Sequence, residues 1–176
     1  MANLKETGYK NIKNFFTQEE LLLLKPYCIN QLKKDWKTGD QSPLVPQWYK
    51  DPLMNVFLKN KISLVETNAG LKLFPTYAFW RAYMYGSSLK KHTDREACEI
   101  SVTVNLDSCG YKWPIFMGKN KILLEPGDGV MYLGCEIPHY RKIFKGDYCA
   151  QVFFHYVDQN GPYKNLVHEE NNYEDF

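Results

Sequence analysis

The 176-residue sequence has no long apolar run. Nothing in it approaches the roughly 18 consecutive apolar residues of a membrane span, and the opening MANLKETGYKNIKNFF holds no apolar h-region. No charge dominates either. Lys and Arg number 22 against 20 Asp and Glu, a net charge of +2, so neither a membrane nor a nucleic acid is the expected partner. The cysteines (Cys28, Cys98, Cys109, Cys135, Cys149) are odd in number and form no C-x-x-C pair. They read as reduced, structurally buried thiols in an intracellular, cytoplasmic chain. Internal repeats and low-complexity tracts are absent. Histidine is scarce, with four in the chain.

What is present is globular in character: 44% hydrophobic and 15% aromatic residues, in a length that suits one domain over 1–176. "NFFTQEELLLL" carries a helix start, with Thr17 as cap, Glu20 closing a capping box, and Phe16 stapled to Leu21. That helix is expected to reach about Trp36 with a bend or break at Pro26, and "NQLKKDWK" would be its solvated face. "TGDQSPLVPQ" reads as a loop. Asp51 and Pro52 suit the start and Gly70 the end of a helix over 52–68, with Leu53, Val56, Phe57 and Leu64 as its apolar stripe.

From residue 71 the character turns to β. "FWRAYMY", "EISVTVNL", "WPIFMG", "KILLEP", "GVMYLG", "HYRKIF" and "YCAQVFFHYV" follow one another, separated by Gly-, Asn- and Asp-rich turns. The predicted fold is mainly β with supporting α: a jelly-roll or cupin-like barrel (a double-stranded β-helix) over 71–158. Helices in 1–70 brace it, and 159–176 form a tail.

The candidate chemistry lies in "LKKHTDREACEISVTVNL", where His92 and Asp94 stand two apart beside a strand. Alone, H-x-D is a weak signal. A second histidine, His139, opens another predicted strand in "GDGVMYLGCEIPHYRKIF". Two imidazoles and one carboxylate form the facial triad that suits non-haem Fe(II) and oxygen chemistry. His155, inside "QVFFHYV", reads as a core histidine, and His168, in the polar tail, as solvated. The bland alternative makes His92–Asp94 a surface hydrogen bond and His139 a buried donor.

This layout, "RAYMYGSSLKKHTD", "EPGDGVMYLGCEIPHYR" and "KGDYCAQVFFHYV", resembles the Fe(II)/2-oxoglutarate-dependent dioxygenases, particularly the small prolyl-4-hydroxylase-like branch. That branch has a tyrosine nine positions before H-x-D, a Gly-Asp turn, a distal histidine and a glycine before the last strand. Tyr83, His92, Asp94, Gly127–Asp128, His139 and Gly146 hold those places over about 79–157. The resemblance implies iron, with 2-oxoglutarate and O2 as co-substrates, and release of succinate and CO2. Asp94 at the ligand position argues against halogenation, which in this family needs that position vacated. By the same resemblance the substrate is a peptidyl proline first, then a small metabolite, then a modified nucleobase.

The family usually places an Arg or Lys two positions after the last-strand glycine to hold the far carboxylate of 2-oxoglutarate. Tyr148 occupies that position. Strand alternation offers replacements: if His139 points inward, so does Arg141, and Arg81, Tyr83 and Tyr85 share one face of their strand. A guanidinium fork suits a carboxylate, so Arg141 and Tyr83, then Arg81, are the candidate co-substrate residues. Arg95 at the barrel mouth, Trp113 and Tyr85 are candidate substrate contacts. Glu99, Ser101, Thr103 and Asn105 form a polar stripe that faces either the active-site interior or bulk water. The competing functions are a cupin-type metal enzyme that does not use 2-oxoglutarate, such as an isomerase, and a sensor on the same barrel.

Overall fold

The structure is a computed structural model, and it describes residues 4–34, 37–39 and 42–170, with side chains at 4–34 and 45–167. In chain order the elements are α1 (Leu4–Thr7), β1 (Tyr9–Ile12), α2 (Gln18–Gln31), β2 (Lys37–Gly39), β3 (Ser42–Tyr49), α3 (Pro52–Asn60), α4 (Ile62–Ala69) and β4 (Leu73–Met84). Then follow β5 (Leu89–His92), β6 (Ile100–Asp107), β7 (Ile115–Met117), β8 (Asn120–Ile122), β9 (Gly129–Leu133), β10 (His139–Arg141) and β11 (Tyr148–Asp158). Short 3-10 turns lie at Glu96–Cys98 and Lys164–Glu170.

Two antiparallel sheets make the double-stranded β-helix. The large one runs β1-β9-β6-β11-β4-β3-β2 and the small one β5-β10-β7-β8. Period-two alternation gives each strand of the large sheet two faces. Ala78, Trp80 and Ala82 of β4, Val102 and Val104 of β6, and Val152, Phe154 and Tyr156 of β11 share one apolar cluster with the helical residues Leu21, Leu24, Met54, Leu58 and Val65. The other parity turns to the barrel interior, where Ser101, Thr103, Asn105, Gln151 and His155 are all buried. The polar stripe of β6 therefore faces the interior from Ser101 onward, with Glu99 only half-buried.

The helix start at Thr17 has the expected capping box, and Phe16 and Leu21 are buried together. The helix passes through Pro26 and stops at Gln31, so Lys33 and Lys34 lie beyond it, and Trp36 is outside the described residues. The expected helix over 52–68 is two helices, divided at Lys61, and Gly70 ends the second with φ 70°. Its buried residues are Met54, Leu58, Val65 and Ala69. Leu53, Phe57 and Leu64 pack at the margin, and Val56 is 52% exposed.

The segment 1–70 also supplies strands. β1 pairs with β9, and the expected loop 38–47 is mostly the β2–β3 hairpin. The prolines of β3 precede its register pairs with β4, which begin at Gln47, so they remove no hydrogen bond there. Among the described residues no helix is long and apolar enough to cross a membrane. All five cysteines are free; Cys28, Cys98 and Cys149 are buried, Cys135 partly, and Cys109 is exposed.

Asp51 ties this bracing to the sheet. It is 4% exposed and its carboxylate accepts from the Leu53 and Met54 amides, Tyr27 Oη and Trp80 Nε1. Asp51→Ala removes a helix cap and strands an indole N–H, a combined loss of roughly 2–4 kcal/mol. Urea unfolding is expected to show that loss, with metal affinity of the folded protein unchanged.

Candidate metal centre

β5 and β10 lie antiparallel with His92 directly opposite His139. Their rings are 4.3 Å apart between centroids. Asp94 follows β5 and is fixed by its amide, which donates to the Gly134 carbonyl at 2.8 Å. Its Oδ1 lies 3.5 Å from His92 Nε2 and 3.4 Å from His139 Nε2. The three ligand atoms lie within 4.8 Å of one another, as one shared cation would require.

The far side of each ring fixes its tautomer. His92 Nδ1 lies 2.8 Å from the Lys90 carbonyl and His139 Nδ1 lies 3.0 Å from the Ile137 carbonyl. A carbonyl only accepts, so each Nδ1 carries a proton and Nε2 is the atom each ring turns inward, donating to Asp94 when it too is protonated and offering its lone pair to a metal when it is not. Burial pushes the Asp94 carboxyl up, but the hydrogen bonds of His139 and His92 outweigh it and hold it well below the usual range. It stays ionised. These are the donors a divalent metal needs, and they fit iron.

A second convergence, Asp94, Cys98 and His155, shares the same carboxylate. Burial holds the Cys98 thiol well above its ordinary pKa, and its sulfur lies 3.0 Å from Tyr77 Oη. Burial also pushes His155 down to about 4, against the pull of Asp94, so that imidazole is neutral. His155 is thus a buried histidine, as expected, but it faces the site rather than the helix-side core.

Deeper in the barrel, Arg141 is 2% exposed and faces inward like His139, two residues along the same strand. Its Nη1 donates to the Trp113 carbonyl at 2.7 Å and its Nη2 to Gln151 Oε1 at 3.0 Å. Gln151 in turn donates to Asn105 Oδ1 at 2.9 Å. Burial pulls the guanidinium pKa below its ordinary value, and no carboxylate is among the groups that push it back. Arg141 Nε and the fully buried Tyr83 Oη have no hydrogen-bond partner. Among the described residues no carboxylate opposes this buried cation, and its own free Nε and the Tyr83 hydroxyl are unsatisfied, which fits an anionic ligand.

The other expected residues separate. Trp113 is 6% exposed; it packs under the Arg141 guanidinium at 4.7 Å and edge-on to Tyr83 at 4.8 Å. Arg81 lies inside the barrel across from Gln151, donating to Gln47 Oε1 at 3.2 Å. Arg95 is exposed, with its guanidinium 4.8 Å over the Tyr77 ring. Tyr85 is not part of the site. β4 ends at Met84, so alternation no longer holds at Tyr85, which is 73% exposed. Tyr148 packs against the helix-side core, so its parity points away from the interior and Cys149 takes the inward place. The side chain of His168 is outside the described residues.

Gln151, Tyr132 and Gly134 went unread in the sequence. Tyr132 stands 4.7 Å from His139 ring to ring. The inward parity of "GVMYLG" and of "QVFFHYV" carries the first two.

Against known proteins, no protein-family model matches the sequence, and no curated protein matches it. Solved structures match in shape. A prolyl-4-hydroxylase from Pseudomonas putida aligns with a TM-score of 0.70 at 16% identity, covering 88% of this chain and 95% of that one. The chain shares its fold with the 2-oxoglutarate/Fe(II) oxygenases. HygX from Streptomyces hygroscopicus, solved with nickel, 2-oxoglutarate and hygromycin B, gives 0.69 at 11% identity over 89% and 85% of the two chains. A prolyl hydroxylase from Trichoplax adhaerens, in complex with a hypoxia inducible factor peptide fragment, gives 0.67 at 13% over 97% and 90%.

Gly134 sets the tightest tolerance in the centre. A Cβ there would overlap the Cys98 carbonyl and stand 2.8 Å from Asp94 Oδ2. Gly134→Ala is expected to displace that carboxylate and weaken Co(II) binding by about tenfold or more, as read by calorimetric titration of the folded variant.

Proposed function

We propose that this protein is an Fe(II)- and 2-oxoglutarate-dependent dioxygenase that hydroxylates a C–H bond, releasing succinate and CO2. One observation carries the reading: two imidazole Nε2 atoms converge on Asp94 Oδ1, while the buried Arg141, without a carboxylate, sits two residues beyond His139. An uncompensated guanidinium calls for an anionic ligand, and succinate formation separates a dioxygenase from a cupin-type isomerase or a sensor that binds one.

His92, Asp94 and His139 would hold the iron. When bound, it supplies the oxidising power for O2 and C–H chemistry that protein side chains lack. Arg141 would take the far carboxylate of 2-oxoglutarate through its planar fork, with Tyr83 Oη donating a second hydrogen bond. Residues two apart on one strand face are separated by roughly 6–7 Å, a span that lets one dicarboxylate reach from the metal to Arg141. Gln151 and the Trp113 carbonyl keep the guanidinium oriented, and the Trp113 ring excludes water from it. Arg81 would serve the substrate side of the barrel, where its guanidinium lies 5.0 Å over Phe79.

Among substrates, a peptidyl proline stands first and a small metabolite second, as in the peptide and hygromycin B complexes of the similar structures. Arg95, exposed at the mouth, would meet a polar group of either.

The test is 2-oxoglutarate turnover, read as succinate. His139→Ala is expected to abolish it with the fold retained. Arg141→Ala is expected to weaken 2-oxoglutarate by about 3–5 kcal/mol, as for a broken buried ion pair, and Tyr83→Phe by about 1–3 kcal/mol. Neither is expected to alter metal affinity. Full turnover by iron-loaded His139→Ala, or unchanged 2-oxoglutarate dependence in Arg141→Ala, contradicts these assignments.

A further inference from the structure

Three polar atoms lie within 3.0 Å of Ser101 Oγ: Asp94 Oδ2 at 3.0 Å, the Cys98 carbonyl at 3.0 Å and His155 Nδ1 at 2.9 Å, with the Tyr132 hydroxyl also nearby. The serine hydroxyl has one proton, and the Asp94 and Cys98 oxygens can only accept. If His155 took that proton, two oxygens would face the bare serine lone pairs inside the protein. His155 Nδ1–H must therefore donate to Ser101, which frees the serine proton for the Asp94 side. The remaining nitrogen, His155 Nε2, is buried without a partner. In this tautomer it is the unprotonated one, so no N–H is stranded among the rings, the less costly of the two arrangements.

The corner around this chain is rigid. The His155 ring packs at a tilt against Tyr77 at 4.6 Å and stacks with Phe79 at 5.6 Å between centroids. At Gly134 an added Cβ would stand 2.9 Å from Ser101 Oγ, so only a bare backbone fits against the pair. Oδ2 of Asp94 is thus held on the sheet side, and Oδ1 alone turns to the two imidazoles.

We propose that His155 is a positioning residue: acting through Ser101, it pins Oδ2 of Asp94 so that the carboxylate offers the metal a single, pre-aimed oxygen. This rests on the metal-centre reading above. Groups that orient a metal ligand are worth about 10–100-fold in affinity, and pinning one oxygen also disfavours two-oxygen ligation, leaving coordination positions for co-substrates.

Co(II) affinity of the full chain, measured by calorimetry without 2-oxoglutarate, tests the proposal, with far-UV circular dichroism and melting curves confirming folding. Ser101→Ala and His155→Phe, the latter keeping a ring but no donor, are each expected to weaken Co(II) about 10–100-fold. His155→Asn places an amide N–H where Nδ1 stood and is expected to bind like the parent. His155→Gln places it at the Nε2 end and is expected to bind like His155→Phe; this amide pair decides the matter if the Phe variant fails to fold. The double change Ser101→Ala with His155→Phe is expected to be no weaker than Ser101→Ala alone, because both break one chain. Parental affinity in His155→Phe, equal weakening in Asn and Gln, or additive losses in the double variant overturns the proposal. A parent protein that does not bind Co(II) overturns the metal centre itself.

Discussion

A guanidinium held inside a barrel with no carboxylate opposite it is costly, and this molecule is arranged around that cost. Arg141 is satisfied in part by a carbonyl and a glutamine, which orient it without neutralising it. Neutral partners in a dry interior leave the charge strongly attractive to an anion. The same strand that carries Arg141 inward carries His139 inward, so the uncompensated guanidinium and the metal-type ligands share one wall. The pairing of β10 with β5 then brings His92 opposite His139.

The large sheet makes such an interior affordable. One face of β4, β6 and β11 buries apolar side chains against α2, α3 and α4, and that face supplies the driving force. The opposite face is thereby free to carry polar groups, provided they satisfy one another. Most do: Asn105, Gln151 and Arg141 form one chain of hydrogen bonds, and Asp94, Ser101 and His155 another. The exceptions on this face are Arg141 Nε and Tyr83 Oη, both donors, and His155 Nε2, the unprotonated nitrogen of its ring. Two donors left unsatisfied with an uncompensated guanidinium fit a ligand better than they fit loose packing.

Period-two alternation made much of this legible in the sequence. It placed Arg141 on the face of His139 and Tyr83 on the face of Arg81, while the inward direction of those faces rested on the family resemblance. It failed at Tyr85, where β4 had already ended. The strand β5, "LKKH", gave no β signal because only Leu89 of it is apolar and buried. β1 was missed for a similar reason, since "YKNI" buries only Ile12, and β2–β3 was hidden by prolines tolerated where β4 pairing is not yet made. His155 looked like a core histidine because it lies between aromatic residues. Its contact with Ser101, 54 positions away, is set by strand register that no local pattern encodes. The replacement of the usual cation by Tyr148 likewise acquired its meaning only from parity, since residue 148 faces the helices.

The account stands or falls on whether one small dicarboxylate joins the metal to Arg141. The direct measurement is an anaerobic titration of 2-oxoglutarate into the Fe(II)-loaded protein, followed by visible absorption. A weak metal-to-ligand charge-transfer band that rises and saturates with added 2-oxoglutarate, and is absent when succinate replaces it, is the predicted result. Tight Fe(II) binding with no such band at any 2-oxoglutarate concentration would contradict the account and favour a metal enzyme or sensor that does not use this co-substrate.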